Sequence, residues 1–269
     1  MAFLRSKLRS NIQKFDCPLP SCDIFAMMWR NQSGYTAFID TNYRMSNPAS
    51  ISGNVHQKPK LLLFDFDGTL ADTRTIAHGI LNDMSLEFGF RELPLDQLEE
   101  ARRMSTRDFI RHLGISRWRV PSIARRGLQL LHERIHLVEP ISGMPETLTF
   151  LQERGVRMAI LTSNSQANVE AFLSRHNLLY FEFVRSSSKL FGKGREIKRI
   201  LRKEKLSPGE ILYIGDETRD IEAAKVTGLP MAAVTWGYNS VEALHALNPE
   251  HLIHSPSDLL NLHLQLTRP

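Results

Sequence analysis

The chain has 269 residues, of which 42% are hydrophobic and 23% are charged. These proportions exclude a fully disordered chain and a fibrous repeat, and no apolar run approaches the roughly 20 residues that cross a bilayer. The net charge of +5 comes entirely from residues 1–60, which hold eight Lys/Arg, three Asp and no Glu. Because the charges balance in the rest of the chain, the basic character does not indicate a nucleic-acid surface.

Residues 1–60 are predicted to be a poorly structured basic extension, because they show no sustained hydrophobic period. Three interpretations remain open: a disordered tail, an organellar transit peptide, and sequence translated from a start upstream of Met45. Cys17 and Cys22 are too few for a disulfide framework or a zinc site. We therefore predict a cytoplasmic protein, or an organellar one if the extension is a targeting segment.

A buried strand is predicted at 61–64, where a short apolar run ends in Asp-Phe-Asp-Gly-Thr. Residues 75–139 then follow a helical period with one apolar face. That face is formed first by Ile76, Ile80, Leu81, Met84 and Phe88. Further helices are predicted at 95–103, 105–113 and 122–138, with Gly114 and Pro121 as the breaks between them.

After Pro140 the predicted strands and helices alternate, which requires crossover connections and a mainly parallel sheet covered on both faces. The fold class is therefore α/β, a Rossmann-like doubly wound parallel sheet with an all-helical cap inserted after the first strand. Residues 61–74 and 140–269 form the predicted core, and 75–139 form the cap. The predicted core elements are helix 144–154, strand 157–162, helix 166–176, strand 181–185, helix 193–204, strand 211–214, helix 218–226, strand 231–234, a helix near 240–246 and a weaker pair of elements to the end.

Two acids follow the first predicted strand, at the end where open parallel sheets bind ligands. Asp65 and Asp67 are two residues apart on an extended chain, so they face the same space. Like charges this close repel by about 4 kcal/mol at an effective dielectric constant of 20. A hard divalent cation such as Mg²⁺, which prefers oxygen ligands, relieves that repulsion. The simpler alternative is a solvated Asp-Gly turn.

Polar groups also follow the next three predicted strands. Thr162-Ser163-Asn164 can donate to an anionic oxygen, or can cap the next helix. Lys193 lies between two glycines at a helix start, which suits a phosphate, although a lone lysine is commonly a surface residue. Asp216 and Asp220 are one helical turn apart and can face one site, or can reflect the usual acidity of a helix start.

In this order, the four motifs resemble those of the haloacid dehalogenase-like (HAD) superfamily of hydrolases, over essentially all of residues 61–262. The placement and size of the helical insertion resemble the mobile cap of its phosphoglycolate phosphatase and β-phosphoglucomutase branch. The extension has no counterpart in this resemblance. The motifs that carry it are Asp65-Phe66-Asp67-Gly68-Thr69, Thr162-Ser163-Asn164, Lys193 and Gly215-Asp216-Glu217-Thr218-Arg219-Asp220.

The resemblance implies a phosphatase that hydrolyses a small phosphomonoester, phosphoglycolate-like or a phosphosugar, through an aspartyl-phosphate. Asp65 would be the nucleophile, a role that an ionised carboxylate can fill. Asp67 would be the general acid and base, and its presence favours phosphate esters because a departing halide needs no proton. Ser163 would hold a phosphoryl oxygen and Lys193 would balance charge. Thr162 remains an alternative to Ser163, and Lys189 to Lys193.

The resemblance also implies Mg²⁺ as the cofactor. Its ligands would be Asp65, the backbone carbonyl of Asp67, and Asp216. Asp220 would support the site through water or indirectly.

Substrate recognition is predicted for two cap residues, Thr106 and Arg107, at a loop-to-helix junction, together with Thr162 and Asn164 of the core. The stretch 102–126 could draw anionic substrates toward the cleft, or could be a solvated helix face. Its basic residues are Arg102, Arg103, Arg107, Arg111, Arg117, Arg119, Arg125 and Arg126, against the single acid Asp108. The predicted partner is a small phosphorylated metabolite, with no nucleic acid or membrane, and the chain is a monomer or homodimer.

Three alternatives remain. His132-Glu133-Arg134-Ile135-His136 matches the His-Glu-x-x-His pattern of zinc peptidases, although no third ligand is evident. A phosphosugar mutase would need the same core residues, because it also forms an aspartyl-phosphate. A non-catalytic protein with the HAD fold would not need its four motifs intact.

Overall fold

The computed structural model describes residues 58–187 and 192–266. The extension up to residue 57, with Cys17 and Cys22, lies outside the described residues, and so does Lys189. The predictions that concern them stay predictions. No helix in the described ranges combines the length and the apolar character that a membrane span requires.

A six-stranded parallel sheet forms the centre of the fold, with the strand order β3-β2-β1-β4-β5-β6. Because every connection between parallel strands must cross over the sheet, helices cover it on both faces. The predicted α/β class is confirmed. The strands are β1 (Leu61–Phe64), β2 (Met158–Thr162), β3 (Val184–Ser186), β4 (Ile211–Gly215), β5 (Met231–Val234) and β6 (His251–Ile253).

The helices of the described ranges fall into two groups, one between β1 and α5 and one that alternates with the strands. The first group is α1 (Arg74–Phe88), α2 (Leu98–Arg102), α3 (Thr106–His112) and α4 (Val120–Arg134), with short 3-10 turns at Leu95–Gln97 and Ile135–Leu137. The second group is α5 (Met144–Glu153), α6 (Gln166–Arg175), α7 (Lys193–Glu204), α8 (Thr218–Thr227), α9 (Val241–His245) and α10 (Pro256–Leu266).

Strand β1 is the centre of the core because it pairs with both β2 and β4 and all four of its residues are buried. Its side chains alternate between the faces of the sheet. Leu62 and Phe64 belong to one hydrophobic cluster, and Leu61 and Leu63 belong to another. The residues that follow β1 therefore start from a rigid, fully buried position.

The chain leaves and re-enters the sheet layer through two backbone segments that lie side by side. The Asp72 N–H donates to the Glu139 carbonyl at 2.9 Å, and the Ile141 N–H donates to the Leu70 carbonyl at 2.9 Å. Helices α1 to α4 lie between these segments, and α1 packs against α4. The boundaries of the cap at residues 75 and 139 stay a prediction.

Three local features differ from the sequence prediction. Pro121 lies in the first turn of α4 and does not precede it, because a proline ring suits the start of a helix. The strand predicted at 181–185 is observed only at Val184–Ser186, where β3 is an edge strand that pairs with β2 alone. The sequence predicts two weaker elements at the end without their type or bounds, and the first of them is the three-residue strand His251–Ile253.

We expect Phe172→Ala to lower the free energy of unfolding by about 3–5 kcal/mol, because it removes a fully buried ring from a close-packed core. The Phe172 and Phe66 rings meet edge to face, with their centroids 5.0 Å apart. Denaturant unfolding measures the change, with Leu179→Ala as a control because Leu179 is 72% exposed. A change no larger than that of the control would contradict this packing.

Candidate active site

Asp65 stands immediately after β1, on the edge of the sheet where all six strands have their carboxyl ends. Its backbone N–H donates to the Ile214 carbonyl of β4 at 2.7 Å, which extends the β1–β4 pairing by one residue. Its Oδ1 accepts from the Phe66 N–H at 2.7 Å. Its Oδ2 lies 2.6 Å from Lys193 Nζ. The carboxylate is thus fixed by both the sheet and a charge partner.

Lys193 begins α7, and its ammonium group lies between two carboxylates. Nζ is 2.6 Å from Asp65 Oδ2 and 2.6 Å from Asp220 Oδ1. Burial acts to lower the pKa of Lys193, but Asp220 and Asp65 outweigh that effect and raise it. The Tyr213 hydroxyl of β4 donates to the same Asp220 oxygen at 3.0 Å. Lys193 is therefore a fixed positive charge beside Asp65.

Asp216 follows β4 and is fully buried. Its Oδ1 accepts from the Thr69 hydroxyl at 2.7 Å, and its Oδ2 accepts from the Tyr238 N–H at 2.7 Å. A Cβ atom added at Gly68, which has a φ of +75°, or at Gly237 would collide with the Asp216 carboxylate. Two glycines distant in sequence therefore make room for this acid.

Three carboxylates form a group that could hold a metal ion. One oxygen each of Asp65, Asp216 and Asp220 lies within 4.8 Å of the others, and all three residues are buried. Acidic side chains outnumber basic ones here, which fits a hard divalent cation. The acids are Asp65, Asp67, Asp216, Glu217 and Asp220, and the bases are Lys193 and Arg219.

The pKa values of the site's acids follow from this excess of buried negative charge. Burial raises the pKa of Asp65 to about 7 and the pKa of Asp67 to about 6. Burial, together with Glu217 and Asp65, raises the pKa of Asp216 well above its ordinary value. Asp220 differs: burial acts to raise its pKa, but Lys193, Arg219 and Tyr213 together outweigh burial and lower it. A bound cation would favour the ionised forms of Asp65 and Asp216.

The end of β2 and the turn after it, residues 162–164, contact Asp67 through Asn164 and Arg219 through the Ser163 hydroxyl. Asn164 Nδ2 donates to both Asp67 oxygens, at 2.9 and 3.1 Å. Thr162 is fully buried, and its hydroxyl oxygen accepts from the Asn164 N–H at 2.9 Å, within the turn. The Ser163 hydroxyl instead accepts from Arg219 Nη2 at 3.2 Å. This geometry favours Ser163 over Thr162 as a donor to a ligand.

Arg219 is a residue of the site that the sequence did not reveal. Its guanidinium forms an ion pair with Glu217 in addition to its bond to Ser163. It also acts to lower the pKa values of Asp65 and Asp67, after larger effects from other groups. The signal was present, because Arg219 lies inside the fourth motif, but nothing in the local pattern shows that the side chain turns inward.

The predicted cap residues are placed differently from one another. Thr106 Oγ1 donates to Oε2 of Glu217 at 3.5 Å, and Glu217 is the residue that follows Asp216. Arg107, at the start of α3, is exposed. Arg102 makes the closer contact with the core: its Nε donates to the Tyr238 carbonyl at 3.3 Å, and its own carbonyl accepts from the Ser240 N–H at 2.8 Å.

The His-Glu-x-x-His segment does not form a three-ligand cluster in the described part of the chain. Helix α4 ends at Arg134, and His136 lies in the following 3-10 turn. His132 Nδ1 lies 2.6 Å from Asn168 Oδ1. Across residues 58–187 and 192–266, the group around Asp65 is the one set of three such residues close enough to hold a metal ion.

Comparisons with known proteins identify a family for this chain. Residues 62–234 match the family described as haloacid dehalogenase-like hydrolase. A phosphoglycolate phosphatase of Synechococcus elongatus is 35% identical over 208 residues, which cover 77% of this chain and 98% of the relative.

Solved structures show the same fold. A haloacid dehalogenase-like hydrolase of Streptococcus pneumoniae matches with a TM-score of 0.65 and 19% identity, over 76% of this chain and 98% of that one. CbbY of Rhodobacter sphaeroides, in complex with phosphate, matches with a TM-score of 0.59 and 20% identity, over 75% of this chain and 96% of that one.

The chain therefore belongs to the haloacid dehalogenase-like hydrolase family, in the branch of its phosphoglycolate phosphatase relatives. The predicted family and enzyme class, a phosphatase of this family, are confirmed. A divalent metal is general among such phosphatases, and the carboxylate group is present here.

We expect a divalent cation to stabilise the chain through Asp216. After treatment with EDTA, saturation with Mg²⁺ to about 100 times its Kd adds about 2.7 kcal/mol and raises the Tm by about 5–10 °C. Asp216→Asn removes one of three clustered carboxylates, so most of that rise is lost. Glu133→Gln is the control, because Glu133 is exposed and is not one of the clustered carboxylates. An equal rise in Asp216→Asn and Glu133→Gln would contradict the site.

In EDTA, we expect Asp65→Asn to gain stability relative to the unsubstituted chain as the pH rises from about 4 to about 7. Burial raises the pKa of Asp65 to about 7 in the folded chain, whereas an unfolded aspartate ionises near pH 4. The folded chain thus holds a proton that the unfolded chain has lost, and its stability falls as the pH rises. Asparagine does not titrate.

Urea unfolding at a series of pH values measures this difference. Asp96→Asn is the control, because Asp96 is exposed. If Asp65→Asn and Asp96→Asn followed the same pH dependence, Asp65 would not be a destabilising buried charge.

Proposed function

We propose that this chain is a Mg²⁺-dependent phosphatase that hydrolyses phosphoglycolate or a similarly small anionic phosphomonoester, with phosphosugars as the second substrate class. The observation that carries the proposal is the meeting of Asp65, Lys193 and Asp216 at one buried point on the sheet edge. The relative of Synechococcus elongatus, which matches over nearly its whole length, bears the name phosphoglycolate phosphatase.

The first step of the proposed reaction transfers the phosphoryl group to Asp65. An oxygen of Asp65 attacks phosphorus, a new O–P bond forms, and the bond from phosphorus to the substrate's alcohol oxygen breaks. Asp67 gives its proton to that departing oxygen. The raised pKa of Asp67, about 6, supports this role because a general acid works best with a pKa near the working pH.

The second step returns Asp65 to its starting form. Asp67, now ionised, takes a proton from a water molecule that attacks the phosphorus of the aspartyl-phosphate. The bond from phosphorus to Asp65 breaks, and inorganic phosphate leaves. Lys193 balances negative charge next to Asp65 in both steps, and Ser163 donates to a phosphoryl oxygen.

The residues proposed to hold Mg²⁺ are Asp65, Asp216 and the backbone carbonyl of Asp67. Asp220 Oδ1 already accepts hydrogen bonds from both Lys193 and Tyr213, which supports an indirect role for Asp220. When bound, the cation supplies positive charge that offsets the excess of buried carboxylates and the charge of the phosphoryl group.

The cap is proposed to select the substrate. Thr106 lies against Glu217, at the side of Asp216, and Arg107 follows it as a cation suited to a second anionic group. Thr162 and Asn164 are proposed to help bind the substrate, a role supported by the contact between them within the turn and by the bond from Asn164 to Asp67. The cytoplasmic location and the monomeric or homodimeric state stay predictions.

We expect phosphate release from a panel of small phosphate esters in the presence of Mg²⁺, with phosphoglycolate among the best substrates. Asp65→Asn should lower kcat by at least about 10³-fold, because it removes the attacking carboxylate. Glu133→Gln should keep its activity, and this pair also tests the zinc-peptidase alternative. The assay is release of inorganic phosphate, with product analysis by phosphorus NMR.

Other outcomes decide between the remaining functions. A bisphosphate intermediate that returns its phosphoryl group to a sugar phosphate would replace the phosphatase by a mutase. No phosphate release from any ester, by a chain that still binds Mg²⁺, would contradict the proposal.

A further inference from the structure

A series of side-chain hydrogen bonds connects helix α4 to Asp67. His132 Nδ1 lies 2.6 Å from Asn168 Oδ1. Asn168 Nδ2 donates to Asn164 Oδ1 at 2.9 Å. Asn164 Nδ2 donates in turn to Asp67 Oδ1 at 2.9 Å. Both asparagines are fully buried, whereas His132 is exposed.

Each hydrogen bond in this series runs in the same direction, with the donor on the side of His132 and the acceptor on the side of Asp67. The backbone N–H of Ser165 can only donate, and it donates to Asn164 Oδ1 at 2.7 Å. Asn164 therefore turns its carbonyl toward Asn168 and its NH₂ group toward Asp67, whether Asp67 is ionised or protonated. Asn168 must therefore offer its NH₂ group to Asn164 and its carbonyl to His132. His132 Nδ1 consequently carries a proton and donates it to that carbonyl.

Rotation of the Asn168 amide by half a turn would break this series of hydrogen bonds. If Asn168 turned over, its carbonyl would face the carbonyl of Asn164, and two buried acceptors would meet without a proton. The bond from His132 opposes this rotation. The Asn168 NH₂ group also donates to the Leu128 carbonyl, at the longer distance of 3.4 Å. His132 thus fixes an orientation on which the contact to Asp67 depends.

We propose that His132 and Asn168 are positioning residues that orient the Asp67 carboxylate through Asn164, and so connect helix α4 to the general acid. This inference rests on the proposed function, because it assigns to Asp67 the transfer of a proton to the leaving alcohol. It also gives the His-Glu-x-x-His segment a part that needs no metal. His132 touches neither substrate nor the reacting atoms.

The leaving group of the substrate separates this role from a general loss of structure. An alkoxide needs a proton from Asp67 as it leaves, whereas the acidic p-nitrophenol leaves without one. The ratio kcat/KM reports events up to this first phosphoryl transfer. A misoriented Asp67 therefore lowers kcat/KM for an alkyl phosphate more than for p-nitrophenyl phosphate.

The test compares His132→Leu, His132→Asn and His136→Leu with the unsubstituted holoenzyme, using phosphoglycolate and p-nitrophenyl phosphate. We expect His132→Leu to lower kcat/KM for phosphoglycolate by about tenfold, and for p-nitrophenyl phosphate by less than about twofold. His132→Asn places an amide where Nδ1 was and should recover most of the loss. His136→Leu is the matched control, an exposed histidine four residues away.

Two results would overturn the proposal. Equal loss with both esters would show that His132 acts through general structure, and no loss with either would show that the series of hydrogen bonds does not orient Asp67. If phosphoglycolate is a poor substrate, the alkyl phosphate ester with the highest rate in the panel takes its place. An unsubstituted enzyme inactive on every ester is a failure of the proposed function itself, which the Asp65→Asn comparison identifies separately.

Discussion

The buried triad of Asp65, Lys193 and Asp220 is the interaction on which the rest of the site depends. A lone ammonium group in this position would be strongly destabilising, and removal of Lys193 would leave Asp65 and Asp220 as uncompensated buried charges, which costs about 3–5 kcal/mol. The three residues come from the end of β1, the start of α7 and the start of α8. Their ion pairs therefore fix two helix starts against the central strand and set the direction of the Asp65 carboxylate.

A second constraint links Asp216, one of the carboxylates proposed to hold a metal ion, to helices α1 to α4. Asp216 is held by the Tyr238 N–H, in the loop after β5, and Arg102 donates to the carbonyls of Gly237 and Tyr238 in the same loop. Asn239 adds bonds to the carbonyls of Arg102 and Met104. The loop after β5 thus contacts both Asp216 and the helices between β1 and α5. Movement of these helices would reach Asp216 through the hydrogen bonds that this loop makes.

The sequence predicted the sheet and the acids at its edge because both follow from local patterns. Apolar runs such as Leu61–Phe64 identify the strands, and parallel strands bring their carboxyl ends to one edge. Gly237 and Arg219 could not be found in this way, because their importance comes from contacts between segments distant in sequence. The His-Glu-x-x-His spacing was equally uninformative: it describes one helix face and says nothing of Asn168 on the facing helix.

The acids of this site are also poorly arranged for stability, and that follows from their chemistry. Burial raises the pKa of both Asp65 and Asp216, which means that the folded chain disfavours their ionised forms. A core that served stability alone would not place two such acids close together. The same burial excludes water from the carboxylates and strengthens every charge interaction with a cation or phosphoryl group. Departures from ordinary core composition are expected at functional sites. The close-packed clusters on the two faces of the sheet supply the rigidity that holds these charges in place.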